Sequence, residues 1–281
     1  MHLIHDALAD RTRPRAHRNR DVRDKTARVL ALLDIRLGQR VVDLLPFRGY
    51  FTRLFASLVG DRGHVFSAVP CDLTRIERIA KGKVELEALA ATRSNITVIS
   101  GPAETAGSPP NGIDLFWIAQ NYHDLAGNFM GPLDMGNFNA AVHRSLSPGG
   151  RYVIIDHSAH AGGSPDIASR LHRIDPKIVR RQAESAGFVL ERKSALLADP
   201  TDSMTTGIFS RGTRTGSFLF SESQCRPGEV VSTLMDLSIA QLPGVAPARH
   251  TLPSRPTSHA FNRPNRPRTR LGRMAVTKRL A

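Results

Sequence analysis

Five consecutive residues, Gln120-Asn121-Tyr122-His123-Asp124, group amide, phenol, imidazole and carboxylate side chains directly after the apolar run Ile113 to Ala119. An imidazole titrates near neutrality, so His123 can serve as a general base. Asp124 can orient that imidazole or cap a following helix, and Tyr122 can stack on a substrate. The bland reading is a loop cluster whose polar groups satisfy one another. A second cluster, Asp156-His157-Ser158-Ala159-His160, closes another apolar run. Two histidines at i and i+3 beside a carboxylate can bind a metal in principle, but no further ligands stand at fixed spacing, so no metal is expected. A substrate-facing role for His157 fits better. A third candidate is Val41-Val42-Asp43-Leu44-Leu45-Pro46-Phe47-Arg48-Gly49-Tyr50, a carboxylate in a strand-like run before a turn that holds one glycine. His172, Arg173 and Asp175 are further candidates for the wall of a substrate site.

These residues need elements to hold them. Arg40 to Leu45 is a compact β-branched run bounded by turn residues, which predicts a buried strand. Tyr50 to Val59 repeats Phe51, Leu54, Phe55 and Leu58 at helical spacing. His64 to Val69, Asn95 to Ser100, Ile113 to Ala119 and Arg151 to Asp156 predict further strands. Ala27 to Leu33 and Met135 to Leu146 predict helices, and so does Leu73 to Ala91 through Ile76, Ile79, Ala80, Val84 and Leu89, with Gly82 as a weak point. Asp175, Pro176 and Gly187 are start and stop signals around a late helix. Strand signals at Phe188 to Leu190 and Phe218 to Phe220 follow. Strands alternating with helices predict an α/β, Rossmann-like, doubly wound, mostly parallel sheet. In such sheets ligands bind at the carboxyl ends of the strands, where all three clusters fall.

The 281 residues carry 39 Lys and Arg against 25 Asp and Glu, a net charge of +14, with 41% hydrophobic residues. That is enough apolar material for a core and excludes a wholly disordered chain. No apolar run reaches the ~20 residues of a membrane span, so no membrane partner is expected. No secretory signal is visible at the start, and a cytoplasmic location is the expectation. Cys71 and Cys225 cannot form a disulfide framework. Leu237 to Ala281 holds nine Arg and Lys and no acid, which leaves +5 for the rest. This Pro- and Arg-rich tail has no periodicity, and residues 222–281 are expected to be disordered. It can bind nucleic acid by counterion release, be a solvated extension, or reflect a reading frame that departs from its ancestral one. Nucleic acid is not favoured, because only Phe261 interleaves with the arginines. Residues 1–24 read as an exposed, Arg-rich lead-in to a domain over 25–221. Neither G-x-x-x-x-G-K-[ST] nor G-x-G-x-x-G is present.

Val41-Val42-Asp43-Leu44, followed by a Gly-bearing turn and helix, resembles motif I of class I S-adenosylmethionine-dependent methyltransferases. Pro46 to Phe55, Val59 to Val65, Gln120 to Leu125, Leu146 to Gly150 and His172 to Pro176 extend the resemblance to a bacterial subgroup of methyltransferases, across residues 15–220. It implies S-adenosylmethionine as cofactor and methyl transfer to a small acceptor. It also implies that Asp43, Pro46, Gly49, Tyr50, Asp72 and Gln120 lie at the cofactor, and Asn121, Tyr122, His123 and Asp124 at the reacting centre. Asp43 would order the first loop beside the methionine moiety. Asp72 would accept from ribose hydroxyls or cap a helix, and Glu104 would lie near adenine or be a solvated acid. The chain departs from the subgroup at Phe47-Arg48, where a Gly-rich turn is usual. These side chains either crowd the methionine end or let Arg48 pair with its carboxylate. A degenerate member with a blocked loop is the alternative reading. A nucleic-acid methyltransferase lacks support, since no Asn-Pro-Pro-Tyr type segment is present and Pro70-Cys71 follows the wrong strand.

Overall fold

The computed structural model describes residues 2–224, apart from 129, 132, 163–165 and 211–215. Met1–Met235 form one compact unit, and the second unit, Asp236–Ala281, lies outside the described residues together with Cys225. The chain begins with α1 (His2–Ala9), α2 (Arg15–Arg18) and α3 (Thr26–Leu33), then β1 (Arg40–Leu44), α4 (Tyr50–Val59) and β2 (His64–Ala68). It continues with α5 (Glu77–Ala90), β3 (Ile96–Ile99), β4 (Ile113–Ala119), α6 (Tyr122–Ala126), α7 (Met135–Ser145) and β5 (Leu146–His157). The last elements are α8 (Ile167–Leu171), α9 (Pro176–Ser185), β6 (Phe188–Ser194) and β7 (Ser217–Gln224).

The sheet order is β3-β2-β1-β4-β5-β7-β6. β1 pairs in parallel with β2 and β4, β2 with β3, and β4 with β5, whereas β7 is antiparallel to both β5 and β6. Strand order reverses between β1 and β4, and a doubly wound sheet opens a crevice at that point.

Successive side chains of a strand point to opposite faces, and the central strands are apolar on both. Val42, Leu44, Phe116, Ile118, Tyr152 and Ile154 enter one core, with Leu86 of α5, Phe138 of α7 and Val179 of α9. Val41, Leu115, Trp117, Val153 and Ile155 enter the other, with Leu30 of α3 and Leu54 and Phe55 of α4. Trp117 is fully buried among Phe51 and Phe55. Truncating such a ring costs about 3–5 kcal/mol.

Two expectations are corrected. The lead-in is not a uniformly exposed stretch. Ala7 of α1 joins the second core, and Arg13 is 2% exposed, its guanidinium paired with both oxygens of Asp21 at 2.9 and 2.8 Å. The arginines carry charge, but a bidentate partner compensates the burial of this one. The helix expected from Leu73 starts at Glu77, after a 3₁₀ turn at Cys71–Leu73. Its buried stripe runs Ile79, Gly82, Leu86, Leu89, and Val84 stands 66% exposed on the opposite face. Gly82 is therefore a packing position. A Cβ there would lie 2.7 Å from the carbonyl oxygen of Phe47.

Candidate functional site

A cavity of about 1060 Å³ opens at the carboxyl ends of β1, β4 and β5. Asp43, Pro46, Gln120, Asn121, His123 and Asp124 all border it, as does His157. The remaining candidates, Gly49, Tyr122 and Asp72, are not on its wall.

Loop 45–49 is shaped by backbone conformation. Leu45 and Phe47 have φ of 51° and 47°, and Gly49 has φ of 75°. Gly49 also lacks the Cβ that would meet Leu86 at 2.9 Å. The loop leans on α5. Arg48 Nε donates to Glu85 Oε2 at 2.7 Å, and the Arg78 guanidinium lies 5.1 Å from the centre of the Phe47 ring. Arg48 is thus engaged with α5, where the resemblance allowed a pairing with a bound carboxylate.

Asp43 is buried and accepts a hydrogen bond from Thr52 Oγ1 at 2.7 Å. Burial raises its carboxyl to about 7, against the Thr52 hydrogen bonds that favour the ionised form. Tyr50 borders the cavity with its ring and spends its hydroxyl elsewhere. It donates to Asp21 Oδ1 at 2.7 Å and lies 2.6 Å from Thr26 Oγ1. Asp72 accepts from the backbone N–H of Ala103 at 3.0 Å, and Glu104 accepts from Asn137 Nδ2 at 2.7 Å. Each has a protein partner that explains it.

After β4, Gln120 turns the chain at φ of 60° and donates its N–H to Ile155 O at 2.7 Å. Asn121 spans the switch point. Its Nδ2 donates to Ala119 O at 2.7 Å and approaches Leu45 O at 3.5 Å, tying β4 to the first loop. Its Oδ1 is buried and accepts no hydrogen bond. Tyr122 turns away into the first core. Its hydroxyl donates to Gln182 Oε1 at 3.0 Å and accepts from Asn139 Nδ2 at 2.9 Å, so it does not stack at the cavity.

His123 is 1% exposed and held by Asp156 near the end of β5. Its Nδ1 lies 2.6 Å from Asp156 Oδ1, and Asp124 Oδ1 lies 3.2 Å from its Nε2. Burial alone would push the imidazole down, but the two carboxylates outweigh it and raise it to about 10. This corrects the expectation of a near-neutral base, because His123 holds its proton at neutral pH. His157 is the opposite case. Burial lowers it, against the pull of Asp156, so it is neutral at pH 7. Ser217 Oγ lies 3.2 Å from its Nδ1, and His157 borders the cavity.

The pair His157 and His160 does not converge, since His160 Nε2 lies 2.9 Å from Ser203 O. Arg173 is fully buried and structural. It holds Asp202 through two hydrogen bonds at 2.8 and 2.9 Å and donates to the carbonyls of Ser158 and Thr206. His172 Nδ1 lies 2.8 Å from Asp124 Oδ1, and Asp175 caps α9 by accepting from the Lys177 N–H at 2.8 Å. Sequence reasoning missed the other wall of the cavity, made by His17, Arg20 and Asp24 on one side and Leu197 and Phe209 on another. The one signal for the first group is the alternation of Arg and Asp through residues 10–24, which supplies the buried Arg13–Asp21 pair.

The order of the strands, the switch-point cavity and the Asp-bearing end of β1 define a Rossmann-like fold of the class I methyltransferase type. Sequence and structure comparisons agree. Ubiquinone/menaquinone biosynthesis C-methyltransferase UbiE of Psychromonas ingrahamii is 30% identical over 124 residues, which is 44% of this chain and 45% of that protein. The chain thus spans under half the length of that relative. A SAM dependent methyltransferase from Aquifex aeolicus superposes with a TM-score of 0.52 at 18% identity, over 73% of this chain and 93% of that one. Geranyl diphosphate C-methyltransferase from Streptomyces coelicolor A3(2) gives 0.51 at 15% identity, over 79% and 87%. No protein-family model matches. At these identities the structural likenesses show the fold that the chain shares with class I S-adenosylmethionine-dependent methyltransferases. Among the described residues no helix is long and apolar enough to cross a membrane.

Proposed function

We propose that the protein transfers a methyl group from S-adenosylmethionine to a small organic acceptor bound in the same cavity. The observation that carries this reading is the cavity at the β1/β4 switch point, bordered by Asp43, Gln120 and Asn121, with the buried Asn121 Oδ1 left without a donor. An orphaned acceptor of this kind is stabilised by a ligand that brings an N–H or O–H. Ligand cavities are typically ~300–1,000 Å³, so about 1060 Å³ leaves room for a cofactor and a second small molecule.

When bound, the cofactor supplies an electrophilic methyl on a sulfonium. The protein's task is to hold the acceptor in line with it, an orientation effect worth several kcal/mol. Asp43 and Asn121 offer acceptors for the polar end of the cofactor, and loop 45–49 sets their spacing. If the acceptor must lose a proton, the neutral imidazole of His157 is the base, because His123 already carries one.

The test is calorimetric titration of the full chain with S-adenosylmethionine and S-adenosylhomocysteine, beside Asp43→Ala. Saturable binding, weakened at least tenfold in the variant, supports the pocket, and label transfer to a panel of small acceptors then identifies the substrate. A folded protein that binds neither ligand overturns the proposal and leaves the methyltransferase fold as ancestry.

A further inference from the structure

His123, Asp124 and His172 bring one ligand atom each to within 4.8 Å of one another, the only such group of three among the described residues. They come from two elements. His123 and Asp124 lie in α6, and His172 follows α8, where a φ of 54° turns it back towards α6.

His123 sets the direction. Asp156 Oδ1 lies 2.6 Å from Nδ1, while Asp156 Oδ2 accepts the His123 backbone N–H at 2.7 Å. With Nδ1 held by Asp156, Nε2 faces the cluster. That nitrogen is buried and makes no aligned hydrogen bond, although Asp124 Oδ1 is 3.2 Å away. A carboxylate on one ring nitrogen is how proteins orient a metal-binding imidazole, and an ion at the other would take the place of the proton that Nε2 carries. Two imidazoles and one carboxylate suit a borderline divalent ion such as Zn²⁺, and three protein ligands leave a tetrahedral ion one open position. His123 and Asp124 also border the cavity. Arg78 competes, with Nη2 3.7 Å from Asp124 Oδ2. Its side chain is 44% exposed and also lies over the Phe47 ring, 5.1 Å from the ring centre.

We propose that His123 Nε2, the Asp124 carboxylate and His172 Nδ1 form a binding site for a divalent transition-metal ion of the Zn²⁺ class, oriented by Asp156 at the border of the cavity. This does not depend on the methyl-transfer reading.

The test strips the full chain with a chelator and titrates it with Co²⁺, whose visible spectrum reports coordination, and then with Zn²⁺ in competition. The expected result is one equivalent of Co²⁺ with a tetrahedral-type spectrum that Zn²⁺ displaces. His172→Asn is the principal variant, because this partly exposed residue can be changed without opening the core. Circular dichroism checks its fold, and it should weaken binding at least tenfold. Asp156→Asn should weaken it by about 10–100-fold, as outer-shell partners do. A folded protein that shows no saturable binding near one equivalent overturns the proposal. So does binding that persists unchanged in His172→Asn, which would place the ion elsewhere on the chain.

Discussion

Asp156, at the end of β5, grips His123 twice, by ring and by backbone, at 2.6 and 2.7 Å. It also accepts the His157 backbone N–H at 2.7 Å. One carboxylate therefore fixes the start of α6 against β5 and sets the separation of the two cavity histidines, whose rings are 6.2 Å apart.

Three donors converge on that carboxylate, which makes Asp156→Asn informative. An amide has one oxygen and must turn its NH₂ group towards at least one of the three. Removing one partner of a buried pair costs about 3–5 kcal/mol. The expected loss of unfolding free energy for this variant is about 3 kcal/mol, read by urea denaturation. A variant within about 1 kcal/mol of wild type would show that the grip is not what holds α6 in place.

The contact of α5 with the first loop gives a second prediction. Alanine at an exposed helix position would gain roughly 1 kcal/mol over glycine. At Gly82 the added Cβ would lie 2.7 Å from the Phe47 carbonyl oxygen and 2.9 Å from its carbon, both backbone atoms. Gly82→Ala should therefore lower stability by about 1–3 kcal/mol, as overpacking does, and displace loop 45–49. S-adenosylhomocysteine affinity should fall with it. A variant that melts higher than wild type and binds equally well would refute the close packing.

Tyr50 ties the N-terminal helices to α4. Its hydroxyl reaches Asp21 and Thr26, and the Arg20 guanidinium lies 4.3 Å from its ring centre. Tyr50→Phe keeps the ring, removes one donor from Asp21, which keeps Arg13, and takes away the hydroxyl partner of Thr26. The expected cost is about 1–3 kcal/mol, with faster proteolysis in residues 10–25. Cleavage kinetics there that match wild type would separate the hydroxyl from the anchoring of that segment.

The sheet was legible because its central strands are short, apolar and bounded by turn residues. Ile113–Ala119 is a strand with those bounds, and Tyr50–Val59 a helix with those bounds. Asp43 and the Gln120–Asp124 segment were legible because strand ends announce themselves. What the sequence hid is where side chains turn within a loop. Tyr122 and His123 are neighbours, yet one enters the core and the other meets Asp156 from 33 residues away. Arg13 reads as surface charge until Asp21 folds onto it, and Gly82 reads as a helix defect until Phe47 is seen against it.

Asp43 gives a prediction with a definite sign. Its carboxyl is raised from 3.8 to about 7, chiefly by burial. Between about pH 4 and 7 the folded protein holds a proton that the unfolded chain releases, so stability falls as pH rises through that window. Three pKa units correspond to about 4 kcal/mol, an upper bound. Asp43→Asn cannot ionise and keeps an oxygen for the Thr52 hydroxyl. Its unfolding free energy should decline less than that of wild type from pH 5 to pH 8, by at least about 2 kcal/mol. Ligand binding should run the other way. An ammonium or sulfonium beside Asp43 favours the carboxylate, so affinity for S-adenosylmethionine should tighten as pH rises past 7 in wild type and stay flat in Asp43→Asn. Taking the difference between the two proteins removes the other titrating groups from both measurements. Equal pH slopes for stability would mean that Asp43 is ionised throughout. Equal slopes for binding would place the cofactor's positive charge away from the end of β1.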